Sequence, residues 1–310
     1  MSSSASTTSL PATSHRLAAF AGPAVMLLGM LLFSLNDAMG KWLVASYGLG
    51  QVILIRSVAA LIILAPFLFM AGWKPIVDAE RPWLQLARVI FSTVEIFSFY
   101  YAVMYLPLAD VMTYWLAAPI YVAACAPFLL GEKVGWRRWT AIAIGFVGVI
   151  ITLEPSSAMF TMPALISVVG TAAFAFMMLS GRSLRATPDK TLVLFQILGA
   201  GVAGLVFAPF DWAPIGSMTE LLLLGLLGIV AMSAHMLVNR ALKISDAATV
   251  APLQYTLLLW AVVFGWLFFD EVPRLTMLFG AALIVGSGLF IFFREQQLKK
   301  RDQVLPAIPE

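Results

Sequence analysis

Ten runs of about 20 predominantly apolar residues follow one another along this chain. They are Ala18–Lys41, Gln51–Ala71, Leu84–Tyr105, Ala109–Leu130, Trp139–Leu153, Met162–Leu179, Thr191–Phe210, Leu221–Leu237, Ala247–Phe269 and Leu275–Phe293. At 1.5 Å per helical residue, a run of this length crosses a hydrocarbon core roughly 30 Å thick. Turn residues or charges separate the runs, as at Trp73-Lys-Pro75, Leu106-Pro107, Gly131-Glu-Lys133, Thr187-Pro-Asp189 and Asp270-Glu-Val-Pro273. No linker long enough to hold a soluble domain is left over. The expected fold is an all-α membrane protein of ten transmembrane helices.

Composition excludes the other classes. Only 11% of the 310 residues are charged and 61% are hydrophobic, whereas a soluble domain carries about 25% charged residues. One cysteine, Cys125, rules out a disulfide-stapled scaffold. The 19 basic and 16 acidic residues nearly balance, which argues against a nucleic-acid binder. Residues 1–17 are Ser/Thr-rich and read as a disordered cytoplasmic N-terminus. The first apolar run exceeds the 7–15-residue core of a signal peptide, so it reads as a permanent span.

Position gives the charges their meaning. With both termini cytoplasmic, fifteen of the 19 Lys and Arg residues lie inside and only Arg274 lies in an outer loop. Lys41, Arg56 and Arg88 fall within spans. This asymmetry follows the positive-inside rule and checks the number of spans, since losing one helix would invert every later loop. Both termini are therefore expected in the cytoplasm.

The two halves resemble each other at an offset of 139 residues. Ala102, Ala109, Val111 and Glu132 match Ala241, Ala248, Val250 and Glu271. Each Glu precedes a span with closely spaced glycines, Gly145/Gly148 and Gly286/Gly288. Five spans per half force the halves into opposite orientations, the inverted-repeat architecture of secondary transporters. The expected division is repeat 1 over 18–154, repeat 2 over 155–295 and a cytoplasmic tail over 296–310.

Several segments carry a family likeness: Tyr101-Ala-Val-Met-Tyr-Leu-Pro-Leu-Ala109, Ala118-Pro-Ile-Tyr-Val122, Leu130-Gly-Glu-Lys-Val134 and Gly145-Phe-Val-Gly148. In the second half these are Arg240-Ala-Leu-Lys-Ile-Ser-Asp-Ala-Ala248, Phe268-Phe-Asp-Glu-Val-Pro273 and Gly280-Ala-Ala-Leu-Ile-Val-Gly286. On these segments the chain resembles EamA-type members of the drug/metabolite transporter superfamily, from about residue 20 to 295. In layout it is similar to bacterial riboflavin importers of that family. The resemblance implies a small organic substrate, with riboflavin or a similar flat heterocycle as first choice and amino-acid or drug efflux as the alternative.

Charges within spans are costly, about 2.5–3.5 kcal/mol at a helix centre, so each needs a reason. Glu95 is the deepest. It shares a helix face with Arg88, Ser92, Ser98 and Phe99, and reads as a substrate contact, a proton-coupling carboxylate or a structural carboxylate. Asp37 and Arg56 reach similar depth on neighbouring helices and suit an ion pair, with Asn36 and Lys41 as further partners; an outer gate is one use of it. Arg88 lies close enough to the inner face to snorkel.

Other polar candidates are His235, Asn239, Gln254 and Tyr255, read either as substrate contacts or as ordinary interhelical bonds. Tyr114, Trp115, Tyr121 and Trp260 are candidate aromatic walls, on a fourth span kinked by Pro119 and on the ninth. Tyr100, Tyr101 and Tyr105 read as interfacial-belt residues. The intramembrane glycines read as close-packing positions between helices of the same chain, in preference to a dimer face.

No metal site is expected, because His235 has no ligand partner at suitable spacing. No cofactor is expected, and a G-x-x-x-x-G-K-[ST] segment for ATP is absent. An intramembrane enzyme is disfavoured for lack of a nucleophile–base or metal constellation. Expected partners are the small-molecule substrate and membrane lipid, with H+ as candidate coupling ion, no nucleic acid, and a homodimer left open.

Overall fold

Eight of the apolar runs become helices long and apolar enough to cross a membrane. The computed structural model describes residues 12–71, 81–130, 135–152, 161–184, 187–244 and 251–304. Within them the helices are α1 (Ala12–Val44), α2 (Leu49–Ala71), α3 (Pro82–Tyr105), α4 (Leu108–Leu116), α5 (Ala118–Leu130) and α6 (Trp136–Thr152). There follow α7 (Met162–Ser183), α8 (Asp189–Phe207), α9 (Met218–Ile244), α10 (Thr256–Phe269) and α11 (Leu275–Val304). No strand occurs among the described residues. The fifth span, α6, has 17 residues, about 25 Å of helix, which is the short end of what spans a bilayer.

The fourth and ninth spans are discontinuous. The fourth breaks at Ala117 into α4 and α5. The ninth begins as a 3-10 turn over Ala251–Tyr255 and becomes α-helical only at Thr256. Ala117 and Thr256 are separated by the repeat offset, so the two breaks fall at one position of the repeat. Near the first, Pro119 supplies no N–H and restricts Ala118; in the second, Pro252 lies inside the 3-10 turn. Discontinuous helices at matching positions of inverted halves are where transporters of this build expose backbone and side chains to cargo.

Packing follows the same symmetry. The most extensive contacts are α1 with α9, α3 with α7, α2 with α8, and α6 with α11. In span numbers these pairs are 1–8, 3–6, 2–7 and 5–10, a set that maps onto itself when the halves are exchanged. The broken spans meet as well, α4 against α10. Each half therefore buries its helices against the other.

Glycine permits the closest of these approaches. At Gly148, an added Cβ would lie 2.8 Å from the carbonyl oxygen of Gly280; at Gly280, it would lie 2.1 Å from Thr152 Oγ1 and 2.6 Å from the Gly148 carbonyl. The two backbones of α6 and α11 touch here, as expected of intramolecular packing glycines. Gly286, grouped with them in the sequence, differs: nothing lies within 4 Å of its added Cβ.

Gly280→Val therefore forces α6 and α11 apart. We expect it to destabilise the protein by about 1–3 kcal/mol, in the range of overpacking changes, read as a lower unfolding temperature in detergent. An unchanged unfolding temperature would contradict the close packing of this pair.

Candidate functional site

Midway along α3, Glu95 accepts a hydrogen bond from the indole N–H of Trp115 at 2.8 Å. Trp115 occupies the last turn of α4, just before the break, and packs edge-on against Phe99 with ring centroids 5.2 Å apart. Its ring fits because residue 170 on α7 is glycine, whose added Cβ would lie 2.7 Å from the indole. Opposite, Arg56 on α2 donates to the hydroxyl of Tyr100 on α3, its guanidinium carbon 5.3 Å from the Tyr100 ring centroid. Gly40 on α1 makes room for that ring.

Asp37 on α1 accepts from Asn36 Nδ2 at 3.2 Å and lies within electrostatic range of both Arg56 and Glu95. Arg56 likewise acts on Glu95 and Tyr100. One interior cluster thus gathers Asn36, Asp37, Arg56, Glu95, Tyr100 and Trp115 from four spans. It sets two carboxylates against one guanidinium. The Asn36 side-chain oxygen is buried with no hydrogen-bond partner, so the cluster retains an acceptor to offer.

His235 on α9 joins its edge. Its ring stands perpendicular to Phe33 at 4.6 Å, within electrostatic range of Arg56 and Arg88, and stays accessible although surrounded by the bundle. Arg88 does not simply reach for the interface: its Nη1 donates to Gln196 at 3.3 Å on α8, while its Nε is buried without a partner. Tyr114 is buried beside Trp115.

The remaining candidates are held by other partners. Tyr121 packs against Phe146 at 5.1 Å. The Tyr255 hydroxyl sits in the space left by Gly288 on α11. Trp260 stacks on Phe264 at 5.9 Å, and its indole N–H is buried without an acceptor. Gln254 is half-buried on the 3-10 turn. The side chain of Asn239 lies outside the described residues, as does Glu132. Among the described residues, no group of three or more His, Cys, Asp or Glu is placed to hold a metal ion.

Lys41 has a different partner from the one the sequence suggests. Its ammonium pairs with Glu271, at the end of the ninth span, and donates to the Leu106 carbonyl at 2.8 Å. The other Glu271 oxygen accepts the Leu108 N–H at 2.8 Å, the first residue of α4. Lys41 and Glu271 thus clamp the Leu106-Pro-Leu108 turn from both sides. The pair is mostly buried, with side-chain exposures of 12% and 18%. Asp270 adopts a left-handed conformation, φ 53°, and the Glu271 N–H closes on the Gly265 carbonyl at 3.1 Å. This tight reversal aims Glu271 inward.

Further bonds seal the same end. Arg274 meets Asp110 at 2.6 Å. Gln51, fully buried, exchanges two hydrogen bonds with the Ala213 backbone at 2.8 and 3.0 Å. Direct pairing of Asp37 with Arg56, expected from depth alone, is replaced by separate partners, Asn36 and Tyr100, because Tyr100 enters between the helices. Tyr100 is itself a correction: at 1% exposure it is interior and not part of the belt, while Tyr105, 60% exposed and 5.0 Å from Tyr101, suits the interface.

Two segments of the chain, residues 20–154 and 160–293, each match the EamA-like transporter family. The chain belongs to that family. It is 27% identical to an S-adenosylmethionine uptake transporter of Rickettsia felis over 277 residues, 89% of this chain and 93% of the relative. It is 28% identical to a riboflavin transporter of Vibrio cholerae over 283 residues, 90% and 95% of the two chains. A solved crystal structure superposes with a TM-score of 0.59 at 18% identity, covering 94% of this chain and 99% of that one. Its likeness concerns the fold. Family membership makes the protein a multi-pass membrane transporter.

Breaking the clamp on one side strands the other charge in a mostly buried place, at a cost of about 3–5 kcal/mol. We expect Glu271→Gln to open the sealed end: a cysteine at Ala38→Cys, on a Cys125→Ser background, becomes reactive toward an impermeant thiol reagent. Equal reactivity with and without Glu271→Gln would contradict the clamp.

Proposed function

We propose that this protein is a secondary active transporter that carries a small metabolite built on a flat heterocycle across the bacterial inner membrane by alternating access, with riboflavin uptake as its first candidate activity. The observation that carries the reading is the interior cluster: a carboxylate, Glu95, presented by an indole beside the Arg56–Tyr100 pair, built on the first half and bordered by Gly170 and His235 of the second. Flat aromatic faces suit a fused ring, and edge donors and acceptors suit its heteroatoms. The relatives named above as carriers of S-adenosylmethionine and riboflavin support the same chemistry, since both cargoes contain a fused nitrogen heterocycle.

In this reading the sealed end, with Lys41, Glu271, Asp110 and Arg274, faces outward. The opposite end carries Arg81, Arg137, Arg138, Lys190, Arg240 and Arg294 and faces the cytoplasm, as the positive-inside rule requires. Both termini then lie in the cytoplasm, and the inverted halves correspond to residues 18–154 and 155–295. One carboxylate in excess over Arg56 gives the cluster a place for a coupling proton.

Rescue of a riboflavin auxotroph at limiting vitamin, with uptake of labelled riboflavin in proteoliposomes, tests this directly. Wild type should rescue growth and take up the label without ATP. Glu95→Gln should lower uptake by about tenfold or more, the loss of a charged hydrogen-bond acceptor. Uptake of labelled S-adenosylmethionine without uptake of labelled riboflavin would identify that cargo instead. No uptake of either, with resistance to amino-acid analogues instead, would replace import with efflux.

A further inference from the structure

A groove of about 610 Å³ lies between α6 and α11, and no residue of the interior cluster lines it. Such a volume is typical of small-molecule sites, about 300–1,000 Å³. Its floor is apolar, formed by Ile144, Leu283 and Phe290 around Gly286. Its mouth, at the end of the bundle rich in basic residues, is flanked by Arg137 and Arg294. Arg137 stacks on Trp136 with its guanidinium 5.5 Å from the ring centroid, and Trp136 is 73% exposed. None of the described lining residues is acidic.

Two features set this groove apart from an ordinary helix seam. Gly145, Gly148 and Gly280 on the same two helices have no room for a side chain, yet Gly286 opens into empty space. It therefore keeps the groove clear without being needed for packing. In addition, Arg137 occupies the first turn of α6, where the helix dipole is positive, so an arginine there is unfavourable until an anion arrives.

We propose that this groove binds an anionic phospholipid of the leaflet at the basic end. The phosphate is held between Arg137 and Arg294, Trp136 marks the headgroup depth, and one acyl chain lies over Gly286 against Ile144, Leu283 and Phe290. Basic pockets between transmembrane helices suit such headgroups, and guanidinium matches phosphate geometry. A second copy of the chain fits less well: a two-fold contact through this face sets Arg137 and Arg294 against their own counterparts. A lipid seated here would wedge the one helix pair, α6 and α11, that joins the halves through their fifth spans.

The test uses the full-length protein, purified in a neutral detergent and titrated with phosphatidylglycerol or phosphatidylcholine. Bound lipid is read by native mass spectrometry and by the unfolding temperature. Phosphatidylglycerol should bind and raise the unfolding temperature of the wild type. Arg137→Gln with Arg294→Gln should weaken binding about thirtyfold, at roughly one kcal/mol per basic residue. Gly286→Phe fills the groove with both arginines in place and should abolish binding. Equal binding of phosphatidylcholine would overturn the charge assignment. Undiminished phosphatidylglycerol binding by Gly286→Phe, or by the double arginine variant should Gly286→Phe not fold, would overturn the site. A wild type that is dimeric by light scattering and a Gly286→Phe variant that is monomeric would assign the groove to a second copy instead.

Discussion

Glu271 carries the connection that ties one end of the helix bundle together. One of its oxygens meets Lys41 from the first span and the other holds the first N–H of α4. A single carboxylate thereby ties the end of span one, the turn between spans three and four, and the end of span nine. The fourth and ninth spans are the broken ones, so the clamp joins the two discontinuous elements of the bundle. Because the pair is mostly removed from water, removing one partner costs far more than it would at a surface ion pair, since an unpaired charge is left behind.

Beneath this clamp the interior cluster is held in partly satisfied form. Trp115 occupies Glu95, Tyr100 occupies Arg56 and Asn36 occupies Asp37, so each charge has a neutral hydrogen-bond partner and none has a direct salt bridge. Neutral partners can be exchanged for groups on a cargo without breaking a buried ion pair. A direct Asp37–Arg56 pair would be harder to open, since separating it strands both charges. The geometry thus favours a site that trades internal hydrogen bonds for external ones.

Much of the scaffold was legible from the residues alone. Span positions, the inverted halves and the interior place of Glu95 follow from apolar run length, the offset of 139 and the cost of intramembrane charge; its bond to Trp115 does not. The pairing of charges was not. Depth along a helix places Asp37 and Arg56 at one level but says nothing of rotation, and Tyr100 takes the intervening position. Glu271 was visible only as a repeat marker; Lys41, needing a counter-charge near the same end, was the available clue. Tyr100 points into the bundle although Tyr105, five residues on, is exposed, a difference of helix rotation that sequence position does not show. Gly286 shows the same limit, since spacing cannot distinguish a glycine that admits a helix from one that keeps a groove open.

Alternating access, as proposed, requires that the end held by Lys41 and Glu271 open during each cycle. Asp110→Cys with Arg274→Cys, on a Cys125→Ser background, leaves Lys41 and Glu271 intact and permits a short thiol cross-linker to join the end at the 2.6 Å contact of the native pair. Cross-linking should stop substrate flux in proteoliposomes, and cleavage of a reducible linker should restore it. Flux that continues unchanged in fully cross-linked protein would contradict the account.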